Sequence, residues 1–263
     1  MKKYIHSKMI KGLLTLFLSC LMTVSFAQDS SLKLYYSFNA TGTDVMDESG
    51  NAYHGILKNG ASILQLGKFG VLKLGSLNGY VDMTANTGKL INSLSDFTVS
   101  LYVYIDPSVD LSANGNFIWT FANSADMART ANGNMFFIAK NTRYSISNTN
   151  WQNEVSVSQG TAMQKGSWQH VTYTQNATTG SVYINGTLVK SGNITLKPSA
   201  LGITTNNFLG RSCYASDVYL TKSYLTDFRV YNRALSSSEI NSLASDRISL
   251  DSAINKIFVD EAK

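Results

Sequence analysis

Apolar and polar residues alternate with a period of two over many short runs of this chain. From Ser31 to Phe38, Leu32, Leu34, Tyr36 and Phe38 alternate with Ser31, Lys33, Tyr35 and Ser37, the pattern of a half-buried strand. The longest such run is Asp96–Ile105. Phe97, Val99, Leu101, Val103 and Ile105 share one of its faces, and Asp106-Pro107 stops it. The stretch Trp168–Lys190 organises the rest. Trp168–Gln175 is rich in β-branched and aromatic residues, Asn176–Gly180 is turn chemistry, and Ser181–Ile184 is a second run. Asn185-Gly186 signals a two-residue type I′ hairpin, which needs φ > 0 at both central residues. Thr187–Lys190 is the return strand.

Shorter strand candidates are Tyr53–Leu57, Val71–Leu74, Gly79–Met83, Asn116–Ala122 and Asn134–Ala139. Further along come Tyr144–Ile146, Val155–Val157, Ile194–Leu196, Asn207–Leu209 and Tyr224–Tyr231. Small sheets of this kind must bury one face, which implies a second sheet over the first. One helix has a clear start. Ser236 is a good N-cap, Glu239 completes a capping box, and Leu235 can pack on Ile240 as a staple. The helix should run to about Leu243. The pattern therefore predicts an all-β fold, a two-sheet antiparallel β-sandwich or jelly roll with one short C-terminal helix. In the last stretch Leu250, Ile254, Ile257 and Phe258 fall on one helical face. That segment either docks on the sandwich or begins a further domain.

The N-terminus changes the charge picture. Lys2, Lys3, Lys8 and Lys11 precede an apolar run from Gly12 to Thr23, and Ser25-Phe26-Ala27 has small residues at −3 and −1 of a cleavage site. This is the three-part secretory signature, and its apolar run is too short for a stable membrane span. Lipid attachment at Cys20 is the rival. Phe17, where a smaller aliphatic is usual, and the apolar residues after Cys20 speak against it. The expected divisions are a signal peptide at 1–27, a sandwich domain at 28–245 and a helical tail or linker at 246–263. The whole chain carries 22 basic and 17 acidic residues, a charge of +5. Four lysines leave with the signal, so 18 remain against 17, and the charge falls to +1. No basic cluster remains to follow a phosphate backbone, so nucleic acid is not an expected partner. With Cys20 gone, Cys213 stands alone and no intrachain disulfide can form.

Four spaced motifs carry a resemblance. The first is Tyr36-Ser-Phe38, then Asp47-Glu-Ser-Gly-Asn51 and His54-Gly55. The second is Gly79-Tyr80-Val81, then Phe97-Thr98-Val99-Ser100-Leu101-Tyr102-Val103. The third is Trp168-Gln-His170-Val171, then Val182-Tyr183-Ile184-Asn185-Gly186. The fourth is Leu209-Gly210, then Asp227-Phe-Arg229-Val-Tyr231-Asn232-Arg233-Ala-Leu235-Ser236 with Glu239-Ile240. In order and spacing they resemble the laminin-G-like, or concanavalin A-like, jelly-roll family of bacterial secreted proteins, from about Leu32 to Leu243. The resemblance implies the fold. It implies function only loosely, because such domains serve as carbohydrate-binding modules, adhesion modules and spacers. Members often carry Ile-Asp before the final segment, and that Asp can serve a structural calcium. Here those positions are Leu225-Thr226. A neutral hydroxyl is a poor substitute for a carboxylate on a hard cation. No cofactor is expected, and the calcium is in doubt.

Jelly-roll glycosidases need two carboxylates facing the scissile bond. The glutamates are Glu48, Glu154, Glu239 and Glu261, no two are close in sequence, and Glu239 has a capping role. The domain is therefore read as non-catalytic. Asp47–Asn51 fails as a calcium loop, since Ala52 and Lys58 fall where a Gly and a bidentate Glu belong. A turn with Gly50 or Asn51 at φ > 0 explains it better. His170 alternates with core residues and reads as a strand histidine with a satisfied hydrogen bond. Sugar binding needs an exposed aromatic face and planar polar groups. Trp119 and Trp168 lie in strand patterns and read as core. Trp151 lies in a polar loop, Asn148–Glu154, that does not need a tryptophan to fold. The candidate glycan-binding residues are Trp151 and Tyr144, with Arg143 beside them, and Arg211 and Tyr214 from the loop Arg211–Ser223, which also holds Asp217.

The expected function is a secreted carbohydrate-binding, lectin-like module accessory to a glycan-degrading system. It would sit in the periplasm, outside the cell or on its surface. The alternative is an adhesion or protein-interaction module, or a spacer domain of a larger glycoside hydrolase. Partners would be a glycan or polysaccharide and, in a larger assembly, a catalytic domain or another protein.

Overall fold

The computed structural model describes residues 29–40, 42–111, 114–123 and 135–261, with side chains as far as residue 255. The leader with Cys20, the polar stretch at 124–133 and the side chains of Ile257 and Phe258 lie outside the described residues. In chain order the first strands are β1 (Leu32–Tyr36), β2 (Asp44–Val45), β3 (Gly55–Lys58), β4 (Ser62–Leu66), β5 (Phe69–Lys73) and β6 (Tyr80–Asp82). Helix α1 (Gly88–Ser93) follows, then β7 (Phe97–Ile105), β8 (Trp119–Asn123), β9 (Met135–Lys140), β10 (Arg143–Ser147) and β11 (Val155–Ser158). The last elements are β12 (Trp168–Asn176), β13 (Thr179–Ile184), β14 (Thr187–Asn193), β15 (Asn206–Leu209), β16 (Ser223–Tyr231), α2 (Ser237–Leu243) and α3 (Arg247–Glu261).

The strands form two antiparallel sheets. Sheet A runs β14-β13-β12-β7-β16-β5-β4, with β1 also paired to β16. Sheet B runs β11-β10-β9-β8-β15-β6-β3-β2. The alternating residues of β7 face inward as its period predicts, and Phe97, Val99, Leu101, Val103 and Ile105 belong to the main core. Trp119 joins them from sheet B, its ring 4.6 Å from that of Phe137 and 5.7 Å from that of Tyr173. Asn185 and Gly186 have φ of 51° and 79°, the positive pair of a type I′ turn. The Asn185 side chain accepts the His170 N–H at 2.9 Å and donates to Gln169 Oε1, which ties the turn to β12. A Cβ on Gly186 would stand 2.7 Å from Asn241 Oδ1, so α2 closes over the turn only because glycine is there.

The C-terminal segment covers the middle of the outer face of sheet A. Ser236 and Glu239 form the capping box, and Leu235 and Ile240 pack in one cluster with Tyr183 and Tyr231. Thr98 Oγ1 donates to Arg233 O and accepts Leu235 N–H, and Tyr102 OH donates to Leu243 O and accepts Asp246 N–H. Beyond them α3 sets Leu250 and Ile254 against Tyr102, Tyr104 and Trp168. The Asp251 carboxylate accepts the Trp168 N–H at 2.7 Å. Trp168 is thus buried under a helix on the outer face, whereas Trp119 lies between the sheets.

Several elements differ from the sequence expectation. Ile194–Leu196 is not a strand. Its carbonyls at Ile194 and Leu196 accept from Gln175 Nε2, so a side chain replaces the ladder. Strands β2 and β4 and helix α1 were not foreseen. β4 lacks strict alternation, and α1 is too short to show a 3.6-residue period. Asp47 has a structural place. Its carboxylate accepts the N–H groups of Tyr35, Ser49 and Tyr53 and closes the loop over β1. Gly50 has positive φ in that turn, and the second such residue is Ala52 rather than Asn51.

His170 gives the fold an acid-sensitive point. It is fully buried, with Nε2 2.9 Å from Ser100 Oγ and Nδ1 without a hydrogen-bond partner among the described residues. Burial, reinforced by the nearby Arg229 charge, pushes its pKa from 6.5 down to about 3. The imidazole is neutral in the fold. The stability this supplies is complete above 6.5 and is lost as the pH falls from there toward about 3. Urea unfolding of the wild type should show a clear loss of stability from neutral pH to around pH 4.5, and His170→Gln should flatten that part of the profile. Leu250→Ala should cost about 2–5 kcal/mol in the same measurement, the usual range for emptying a buried leucine site.

Candidate functional site

The helices cover the middle of sheet A, and the outer face of sheet B carries the cavity described next. Phe136, Ile138 and Lys140 of β9 and Arg143 and Ser145 of β10 point outward, in the register Lys140 opposite Arg143 and Ile138 opposite Ser145. Above them lies a cavity of about 340 Å³. Trp151 and Glu154 wall it on one side, Tyr214 and Asp217 on another, and Asn114, Gly115 and Phe117 on a third. Gly115 bridges to Val218 with φ of 118°, and a Cβ there would stand 2.2 Å from Val218 O. Only glycine lets those two loops meet beside the cavity.

The tryptophan is held by local chemistry. It opens a 3₁₀ turn, Trp151–Asn153, capped by Asn150, whose side chain accepts Gln152 N–H at 3.0 Å. Ser147 Oγ donates to Asn150 O at 2.6 Å. On the far side of the turn both oxygens of Glu154 accept from Arg143 Nη2, at 2.7 and 2.8 Å, while Arg143 Nε donates to Ser145 Oγ. The turn is therefore pinned at both ends. Trp151 is 49 % exposed, which a polar loop has no packing reason to supply.

Burial raises the Glu154 carboxyl above its ordinary value, and the Arg143 guanidinium opposes that shift. Burial, followed by the charge of Arg143, lowers the Lys140 ammonium. Lys140 also lies 5.4 Å from the Phe117 ring centroid. The floor is apolar: Phe117, Phe136, Ile138, Cys213 and Tyr214 form one cluster, with the Tyr214 ring edge-on to Phe136. Burial pushes the Cys213 thiol up to about 12, so it is packing rather than a nucleophile. The cavity thus offers an aromatic face, an apolar floor and planar charged groups at its rim. Such a mixture suits a sugar ring with hydroxyls on its edge.

The four candidate residues from the sequence part company here. Trp151 and Tyr214 meet at the cavity, with Arg143 from β10 and Asp217 from the loop that holds Tyr214. Tyr144 does not. Its neighbours Arg143 and Ser145 face out, so Tyr144 faces in, fully buried against Phe97, with its hydroxyl donating to Thr174 O. It cannot line a glycan site, and that expectation is corrected. Arg211 also lies outside the cavity lining, stacked among Tyr80, Phe208 and Tyr219. Lys140 and Glu154, which were not among the sequence candidates, also line the cavity. The alternation of β9 placed Lys140 outward, but nothing local to either residue foretold their meeting.

The charged groups of the next cavity are paired with one another. A second cavity, of about 220 Å³, lies beside the start of α3, where Asp227 pairs with Arg229 at 2.6 Å and Lys68 with Asp246 at 3.1 Å. Thr226 donates its hydroxyl to Gly70 O at 2.6 Å. It acts there as a donor within the fold. Among the described residues no group of three or more His, Cys, Asp or Glu could hold a metal ion. Among them, too, no helix is long and apolar enough to cross a membrane.

A family model described as the concanavalin A-like lectin/glucanases superfamily matches residues 74–241. No curated protein sequence matches. Solved structures share the fold. Domain 4 of AbnA, a GH43 extracellular arabinanase from Geobacillus stearothermophilus, solved with arabinotriose, aligns with a TM-score of 0.57 at 16% identity, over 81% of this chain and 98% of that one. The binding domain of botulinum neurotoxin serotype D/C aligns at 0.59 and 19%, over 84% of this chain and 52% of that one. Trypanosoma rangeli sialidase, in complex with sialic acid, aligns at 0.58 and 18%, over 85% of this chain and 34% of that one. The chain spans about half of the toxin domain and a third of the sialidase. At these identities the likeness is one of fold.

The Arg143–Glu154 pair generates a test. Arg143→Met should destabilise the domain by about 1–3 kcal/mol near neutral pH, because it leaves a half-buried carboxylate without its partner. The raised Glu154 pKa would then rise further, and a raised acid loses stability as the pH increases. The deficit against wild type should therefore shrink toward pH 5, read by thermal unfolding at the two pH values.

Proposed function

The chain belongs to the concanavalin A-like lectin/glucanase superfamily, and from that premise we propose that it is a glycan-binding module whose site is the cavity beside Trp151. The observation that carries this reading is the exposed Trp151, fixed on a capped and ion-paired turn at the rim of an aromatic-floored cavity. A sugar ring would stack on the indole. Arg143, Glu154, Lys140 and Asp217 would meet its hydroxyls. Ligand-binding relatives of the same fold, such as the arabinanase domain solved with arabinotriose, support binding as the general role.

The domain is read as recognising rather than cleaving. Glu154 and Asp217 both border the cavity, yet both Glu154 oxygens are engaged by Arg143, so Glu154 is committed to that ion pair rather than free to protonate a glycosidic oxygen. The leader sequence supports export, with the mature domain beginning after residue 27. An exported glycan-binding domain suits an accessory role in a glycan-degrading system.

Affinity electrophoresis over a polysaccharide panel tests the reading. At least one polysaccharide should retard the mature domain and release no reducing ends on incubation. Trp151→Ala should weaken that retention by tenfold or more, as loss of a central aromatic anchor does, while thermal unfolding stays near wild type. Unchanged retention of every polysaccharide by folded Trp151→Ala would sink the proposed site.

A further inference from the structure

The loop that supplies Tyr214 and Asp217 to the cavity also carries a second, unused polar group. Arg211 is half-buried on the outer face of sheet B. Its guanidinium carbon lies 4.6 Å from the Tyr219 ring centroid, 4.7 Å from that of Phe208 and 5.0 Å from that of Tyr80. Its Nε donates to Ser212 O at 3.0 Å, and Thr120 Oγ1 fixes the backbone by donating to Arg211 O at 2.8 Å. The guanidinium is thus held in orientation by three rings and a carbonyl. Among the described residues, its terminal Nη groups have no hydrogen-bond partner and it forms no ion pair.

This group stands within reach of the cavity. Phe208 is opposite Thr120, and Thr120 is opposite Ile138, on adjacent strands of one face. Ile138 lines the cavity. Two strand spacings separate Ile138 from Phe208, about 10 Å, a span that a short oligosaccharide covers.

An oriented guanidinium with free in-plane donors matches a carboxylate, which it can grip with two parallel hydrogen bonds. Aromatic rings already occupy its faces, so its donor edge is what it can offer a ligand. We propose that Arg211 is a carboxylate-binding subsite and that the glycan on this face is an acidic one, carrying uronate-type sugars. For the kind of ligand, this inference rests on the glycan reading of the neighbouring cavity.

The test uses a set of uronate polysaccharides, each paired with its own methyl-esterified form, on the mature domain. In at least one pair wild type should bind the free acid about tenfold or more tightly, the scale of lost charge-assisted hydrogen bonds. The preference should weaken as salt is added. Arg211→Gln should abolish the preference. Arg211→Lys, which keeps the charge and much of the packing but lacks the fork, should lose most of it while thermal unfolding stays near wild type. Equal binding of acid and ester in every pair overturns the carboxylate subsite, and so does a preference that survives in both variants. Equal binding that Trp151→Ala still weakens leaves the glycan reading standing alone. A preference that Arg211→Gln removes but Trp151→Ala does not touch supports the subsite and displaces the cavity. Retention of neither form in any pair overturns the subsite, and the neutral members of the wider panel then decide the cavity by themselves.

Discussion

All nine residues of β7, Phe97–Ile105, are buried. An antiparallel strand in a two-layer sandwich ordinarily has one wet face. Here the inward residues meet sheet B, and the outward ones, Thr98, Ser100, Tyr102 and Tyr104, lie under the C-terminal segment. The hydrogen bonds of Thr98 and Tyr102 to Arg233, Leu235, Leu243 and Asp246 fasten that cover. Buried polar side chains are tolerated because they find such partners. The constraint propagates: the middle of sheet A is closed on both sides, while the cavity beside Trp151 opens on the outer face of sheet B.

The cavity on that face follows from two devices. One is strand alternation, which sends Ile138, Lys140, Arg143 and Ser145 outward while Phe137 and Tyr144 complete the core. The other is loop closure. The capped turn at Asn150, the Arg143–Glu154 pair and the Gly115–Val218 bridge hold the walls in place. Preorganised walls reduce the ordering cost of binding, which decides affinity more than contact area does. Arg211 is oriented in the same way, by the rings of Tyr80, Phe208 and Tyr219 rather than by a carboxylate.

Much of this was legible in the residues. Period-two alternation located β1 and β7, Asn185-Gly186 marked the hairpin, and Ser236 with Glu239 marked α2, because each of these signals depends on neighbours in sequence. Trp151 stood out for a similar reason, as an aromatic in a loop that needs none. Elements whose partners are distant were not legible. Ile194–Leu196 looks like a strand until Gln175 takes its carbonyls, and β4 becomes one by pairing with β5.

From its own order the chain determined a two-sheet antiparallel sandwich closed by a capped helix, since turn chemistry and side-chain period are local properties. Four things were left to the tertiary structure. It turned Tyr144 inward and Tyr214 toward the cavity. It parted Arg211 from Trp151, and it brought Glu154 onto Arg143. The reason is physical: which face of a strand meets solvent, and which loops share an edge, depend on the pairing of strands far apart in sequence.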